Sequence, residues 1–258
     1  MAYLNFSFKY LFNLFLKFLS NLGVITLLFF FVNINEVFSE EGSKKIEISF
    51  YNLKIGHFNF NYKISNSDYV INSSGKLRNF IFFSNLSIFS GSIGKITETG
   101  NLLPTQSSIN YNLNKKKLYK SKILFKNDKI IDFISSGQPN FLKTNFNPIG
   151  VKNSIDPSTT LLFFLRKKNI NEICNEKISV IDGHRLVHIF FEEKKILSNN
   201  EINCKGVLTK SKGFRESFFF KKSTSFFIFY KKNKDNKYHV EDLSFKTMLG
   251  PVKVKISG

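Results

Sequence analysis

Arginine is scarce in this sequence. Of its 38 basic residues, only Arg78, Arg166, Arg185 and Arg215 carry a guanidinium group. Base and phosphate recognition favours that bidentate fork, so a nucleic-acid partner is not expected despite the surplus of positive charge. Cysteine is scarcer still, at two residues, and neither belongs to a C-x-x-C pair, which argues against a cysteine-based metal site. No G-x-S-x-G elbow occurs. Gly91–Ser92–Ile93–Gly94–Lys95 imitates a phosphate loop, but it has two residues between its glycines where four are needed, and Ile96 where a hydroxyl is required. Carboxylates are few and come as surface-like pairs such as Glu192–Glu193 and Glu241–Asp242. No catalytic residue, metal site or cofactor is therefore assigned, and the chain is not expected to be an enzyme. Internal repeats and any linker that would divide the chain into separate globular domains are missing as well.

What is present is apolar and basic. Hydrophobic residues make up 42% and aromatic residues 16% of the chain, which excludes a disordered protein. The formal charge of +19 comes mostly from lysine, alongside abundant Asn, Ile and Phe. All four residue types have A/T-rich codons, so compositional drift onto a solvated surface competes with attraction to an anionic membrane surface. Lys9 and Lys17 precede the apolar run Leu22–Val32, and Val37 and Ser39 occupy the positions that a signal peptidase reads. Residues 1–39 are thus expected to be a signal peptide, with 40–258 as one exported, periplasmic domain. The alternative is an uncleaved inner-membrane anchor over 18–32, a stretch shorter than the roughly 20 residues a spanning helix needs. In an oxidising compartment Cys174 and Cys204 have one possible pairing, and a disulfide is expected, with free thiols or a metal as the alternatives.

Period-two alternation dominates the rest. Strands are expected over 45–53, 57–64, 69–75, 109–113, 118–125 and 129–135, with turns at Gly56, at 114–117 and at Asn127–Asp128. The stretch 80–99 reads as a short helix followed by a strand. Further strands are expected over 178–181, 184–191, 206–210, 225–230, 238–247 and 252–256. Residues 138–154 have no period and lead into the one helical pattern, near 156–168. There Asp156 or Ser158 can cap, Pro157 suits the first turn, and Arg166, Lys167 and Lys168 favour the negative end of the macrodipole. The expected fold is mostly β: a single strongly curved antiparallel sheet, a half-barrel or open barrel of about ten strands, with one lid helix. Leu161, Leu162, Phe163, Phe164 and Leu165 would either line a cavity beneath that lid or complete a core. Asp182–Gly183 predicts a two-residue hairpin turn that pairs Ile181 with His184 and Lys177 with His188. That register puts both histidines on the wetter face. A strand spaces them by roughly 13 Å, too far for one metal ion.

The order of several segments resembles a known family. Tyr51–Ile64, Tyr69–Phe80, Gly100–Tyr111, the D156-PSTTLLFFL-165 helix, C174-NEKISVIDGHR-185, C204-KGVLTKSKGF-214 and the closing Tyr238–Ser257 are similar to the exported alphaproteobacterial family known as domain of unknown function 3108. His184 between Asp-Gly and Arg185 departs from its pattern, as does the abundance of Lys and Asn. The resemblance implies a curved half-barrel with a helix at its open side, like the carriers and acceptors that escort lipoproteins across the periplasm. It also implies a partner such as a lipid, a lipoprotein or another envelope component, or else a structural or assembly role with a packed core. A hydrolase is the weakest of the expectations.

Overall fold

The computed structural model describes residues 39–79, 84–114, 117–137, 145–214, 222–247 and 250–258. The expected signal segment up to residue 38, and the 80–83 stretch considered as a short helix, lie outside the described residues. Two antiparallel meanders make up the fold. The first is β1 (Ser39–Phe50), β2 (Leu53–Ser65), β3 (Asp68–Asn79), β4 (Ser84–Ile96), β5 (Leu102–Leu113), β6 (Lys117–Lys126) and β7 (Lys129–Ser136). The second is β8 (Lys177–Ile181), β9 (Leu186–Ser198), β10 (Glu201–Lys212), β11 (Ser223–Lys232), β12 (Tyr238–Thr247) and β13 (Gly250–Ser257). Pairing of β1 with β13 fuses them into one sheet of thirteen strands in the order β7-β6-β5-β4-β3-β2-β1-β13-β12-β11-β10-β9-β8. The count exceeds the expected ten or so because every alternating segment forms a strand of its own.

Asparagine supplies many of the corners. A side chain at positive φ is costly for most residues, but Asn tolerates it because its amide bonds locally to the backbone. Asn66, Asn114, Asn127 and Asn236 all have φ between 49° and 60° at turns. Asn127–Asp128 turns the chain as expected, with both residues at positive φ. The first hairpin differs from expectation: it turns at Tyr51–Asn52 (φ 47° and 67°), not at Gly56. Gly56 lies inside β2, where the β1–β2 register shifts to form a bulge. Pro104 is tolerated within β5 because it too sits at a register shift, opposite Gly94.

The hydrogen-bonded ladder is open between β7 and β8. The segment from 145 to 155 fills that gap. On one side Ile130 donates to the Val151 carbonyl (2.9 Å), Gly150 to Ile130 (2.9 Å) and Asn153 to Asp128 (2.8 Å). On the other, Ile155 donates to Ser179 (2.9 Å) and Ile181 donates to Ile155 (2.9 Å). Side chains from both edges then share one cluster, in which Ile123, Phe125 and Ile130 meet Ile181 and Leu186, with Phe133, Phe146 and Val151 packed against them.

The same segment ends in helix α1 (Pro157–Leu165). It packs against β3, β4, β5, β8 and β12, on the inner face of the sheet. Leu162 and Leu165 join Phe60, Tyr69 and Ile71 in one cluster. Phe164 joins Ile178, Ile202, Ile228 and Tyr230 in another. Arg166, Lys167 and Lys168 lie beyond the helix rather than in its last turn, which contains no basic residue. They act as tethers: Arg166 donates to the Gly100 carbonyl (2.6 Å), Lys167 pairs with Asp235 (3.2 Å) and Lys168 with Glu176 (3.2 Å).

Candidate functional site

Three polar clusters are built into this frame. The first surrounds the start of α1. Asp156 is fully buried, and its Oδ1 accepts from the Ser158 and Thr159 amides at 2.9 and 3.2 Å. Its Oδ2 accepts from the hydroxyls of Thr159 (2.5 Å) and Ser92 (2.8 Å). The network continues from Thr159 to the Tyr69 hydroxyl (2.9 Å), and a separate chain joins Ser158, Ser90 and Ser73. Small serines on the inner face of β3 and β4 let the helix terminus approach closely. Burial holds the Asp156 carboxyl above its usual range, opposed by the hydrogen bonds from Thr159 and Ser92. Burial also raises the Tyr69 phenol, with the Asp156 charge adding to the effect. Two neighbouring hydroxyls, Ser107 on β5 and Ser154 just before the cap, are buried without a hydrogen-bond partner among the described residues.

The second cluster follows α1. The Lys168 side chain is 1% exposed, and its ammonium lies 3.6 Å from the centroid of the Phe163 ring. Its backbone pairs with Tyr238 on β12. Desolvation lowers its pKa to about 8, and the Glu176 carboxylate limits the drop. Next along the chain, Cys174 forms the expected disulfide with Cys204 on β10, with their Cα atoms 5.7 Å apart.

The third is the β8–β9 turn. Asp182 and Gly183 do form it, but as part of a four-residue loop, with Ile181 opposite Leu186 and Ser179 opposite His188. The two-residue register fails because the Asp182 carboxylate organises a longer turn. Its Oδ1 accepts from the amides of His184 (2.9 Å) and Arg185 (2.7 Å), and its Oδ2 from the Arg185 guanidinium at 2.9 and 2.7 Å. Only Gly183 has positive φ (+89°), and a β-carbon there would strike the Phe133 ring. The expectation that both histidines lie on the wetter face is corrected for His184, which is 2% exposed and packs edge-on against Phe133, centroids 5.1 Å apart. Burial pushes its imidazole pKa down. Its neighbour on β9, His188, is half-buried, with Nδ1 2.9 Å from the Ser179 hydroxyl.

The hydrogen bonds and ion pairs of these clusters tie the helix and the β8–β9 turn to their neighbours. A serine nucleophile needs a base that is itself oriented by a third group, and no described carboxylate bonds to His188. Among the described residues, no group of three or more His, Cys, Asp or Glu is placed to hold a metal ion. Of the helix side chains named from the sequence, Leu162, Phe164 and Leu165 are buried in the core, and Leu161 and Phe163 are partly buried against it. A groove of about 650 Å³ lies instead over β1, β2 and β3, lined by residues that include Glu41, Asn61, Tyr62, Lys63 and Asn72.

Of the two cap candidates, Asp156 and Ser158, the helix uses Asp156; nothing in the sequence announces its buried network, since Ser92 and Tyr69 are distant in the chain and carry no motif. In the sequence Lys168 reads only as a helix-end charge.

No family model and no curated protein matches this chain, and the comparisons do not point to domain of unknown function 3108 specifically. Among solved structures, the chain is similar to a beta-barrel-like protein of domain of unknown function DUF1849 from Brucella abortus. The two share 9% identity with a TM-score of 0.42, over 86% of this chain and 96% of that one.

Proposed function

We propose that this is an exported, non-enzymatic component of the cell envelope, a structural or assembly protein that meets its partners on the outside of a filled sheet. The filled interior carries the reading. Leu162 is 0% exposed and Leu165 4%, so the helix that could have covered a hollow is itself part of the packing. An acyl chain bound on the concave face would have to displace α1, and with it the buried Asp156 network. Such a rearrangement opposes carriage of a lipid or lipoprotein inside the sheet. Export is supported by the basic and apolar N-terminal pattern, and the Cys174–Cys204 disulfide fits an oxidising compartment.

Native mass spectrometry of protein extracted mildly from the envelope tests the reading. A mass matching the polypeptide alone is expected. Retention of one acyl lipid per chain through dissociation of detergent would overturn it in favour of internal carriage.

A further inference from the structure

The outer face of β3 to β6 combines exposed apolar side chains with an excess of positive charge. Val70 and Ile93 are direct cross-strand partners, 41% and 46% exposed, and Phe89, on the same face of β4 as Ile93, is 51% exposed. Leu118 on β6 extends the apolar surface, at 53%. The register sets the cations around them. Phe89 lies opposite Asn110, which lies opposite Lys120; Gly91 lies opposite Ser108, which lies opposite Lys122. Adjacent strands are roughly 4.8 Å apart, so both lysines stand about 10 Å from the Phe89–Ile93 row. Lys76 borders it on β3, and Lys95, opposite Asp68, ends the row on β4 itself.

Acidic residues are missing from the centre. The outward positions of β4, β5 and β6 carry Asn, Ser, Gln, Gly and Lys between the apolar groups, with no Asp or Glu. Asp68, opposite Lys95, and Asp132, opposite Leu124, lie only at the margins. Glu41 and Glu47, the nearest acids on β1, are already paired with Lys63 and Lys54.

We infer that this face docks on an anionic lipid bilayer surface, with Phe89, Ile93 and Val70 entering the headgroup boundary and Lys120, Lys122, Lys76 and Lys95 meeting the phosphates. The chemistry favours lipid over a protein partner. Scattered single rings and aliphatic side chains ringed by flexible ammonium groups suit a fluid anionic plane, whereas protein interfaces concentrate aromatics and Arg and are depleted in Lys. The inference depends on the proposed function only in placing the partner outside the sheet, and it names that partner.

The test is sedimentation of the full chain with vesicles of phosphatidylcholine alone or with about one-third phosphatidylglycerol. Binding is expected to the anionic vesicles and to weaken steeply with salt. Each basic residue near such a surface contributes on the order of fivefold in affinity, so Lys120→Gln with Lys122→Gln should weaken binding about 25-fold. Phe89→Ser should weaken it further at fixed charge. Lys253→Gln with Lys255→Gln, the same charge change on β13, is the control and should cost much less. Equal losses from the two lysine pairs would reduce the effect to net charge and overturn the docking face. Equal binding to both vesicle types, or to neither, would overturn the lipid assignment and leave the patch to a protein partner. The mass measurement on internal lipid is independent of all these outcomes, so either claim can fail alone.

Discussion

Asp156 should behave as a structural carboxylate whose removal loosens α1 from the sheet. In Asp156→Ala two amides lose their cap, at about 1 kcal/mol for a typical N-cap. The Ser92 and Thr159 hydroxyls also lose their acceptor. They can still bond one another, since their oxygens are 3.0 Å apart, and Thr159 keeps Tyr69, so about one buried donor is left unmade, at roughly 1 to 2 kcal/mol. The net cost is about 2 to 3 kcal/mol, or roughly 5 to 10 °C in Tm for a domain of this size. Asp156→Asn keeps the cap and should cost about 1 kcal/mol. Because burial raises the folded carboxyl above its unfolded value, the native state binds the proton first as pH falls. The wild type should therefore gain stability relative to Asp156→Asn as pH drops through the folded pKa, with the gain complete below the ordinary carboxyl value near 4. Urea melts of the three proteins at several pH values supply the comparison. Full stability in the Ala variant, a larger loss in Asn than in Ala, or a wild-type minus Asn difference independent of pH would each refute the reasoning.

Lys168 has its folded pKa depressed to about 8, so between about pH 8 and 10.5 the unfolded state holds more protons and stability should rise with pH, by up to about 3 kcal/mol. Denaturant midpoints across that range should show the rise in wild type and not in Lys168→Met. Breaking the Cys174–Cys204 bond by double Ser substitution should cost about 3 to 4 kcal/mol on the chain-entropy argument for a separation of 30 residues, read as a drop in urea midpoint that reductant does not deepen. Gly183→Ala places a side chain at φ +89° where the Phe133 ring lies, and should lose roughly 1 to 3 kcal/mol in the same assay.

The strands were legible because period-two alternation is local, and so was the helix, where Asp156–Pro157 begins an apolar run. Turns were legible only where the residue types announce them. Asn127–Asp128 is a familiar pair for positive φ, whereas Tyr51–Asn52 is not, because an aromatic residue is rarely placed there. The β8–β9 loop misled for a different reason: Asp-Gly predicts a two-residue turn, but the same carboxylate can cap two following amides and claim Arg185 as well. His184 was out of reach altogether. Its burial depends on Phe133, an edge-strand residue whose closeness is set by how far the sheet curls, not by any local pattern.

That curl also explains why one stretch of chain has two jobs. Two meanders fused at β1 and β13 leave β7 and β8 as edges, and exposed edges invite pairing with other chains. The end strands of an antiparallel sheet of thirteen run in the same direction, so a crossover and not a short hairpin has to join them, and near α1 the sheet itself contributes only small serines to the interior. The longer connection bonds β7 through Val151, Gly150 and Asn153, bonds β8 through Ile155, and then delivers Asp156 and α1 inward. Sealing the gap and filling the hollow are therefore coupled, because Ile155 and Asp156 are adjacent residues. Withdrawing α1 to admit a ligand would strain the bonds to Ser179 and Ile181 as well as break the cap. The outer face can engage a partner without disturbing either, and for that reason the exposed side of the sheet is the mechanically cheaper place for this protein to act.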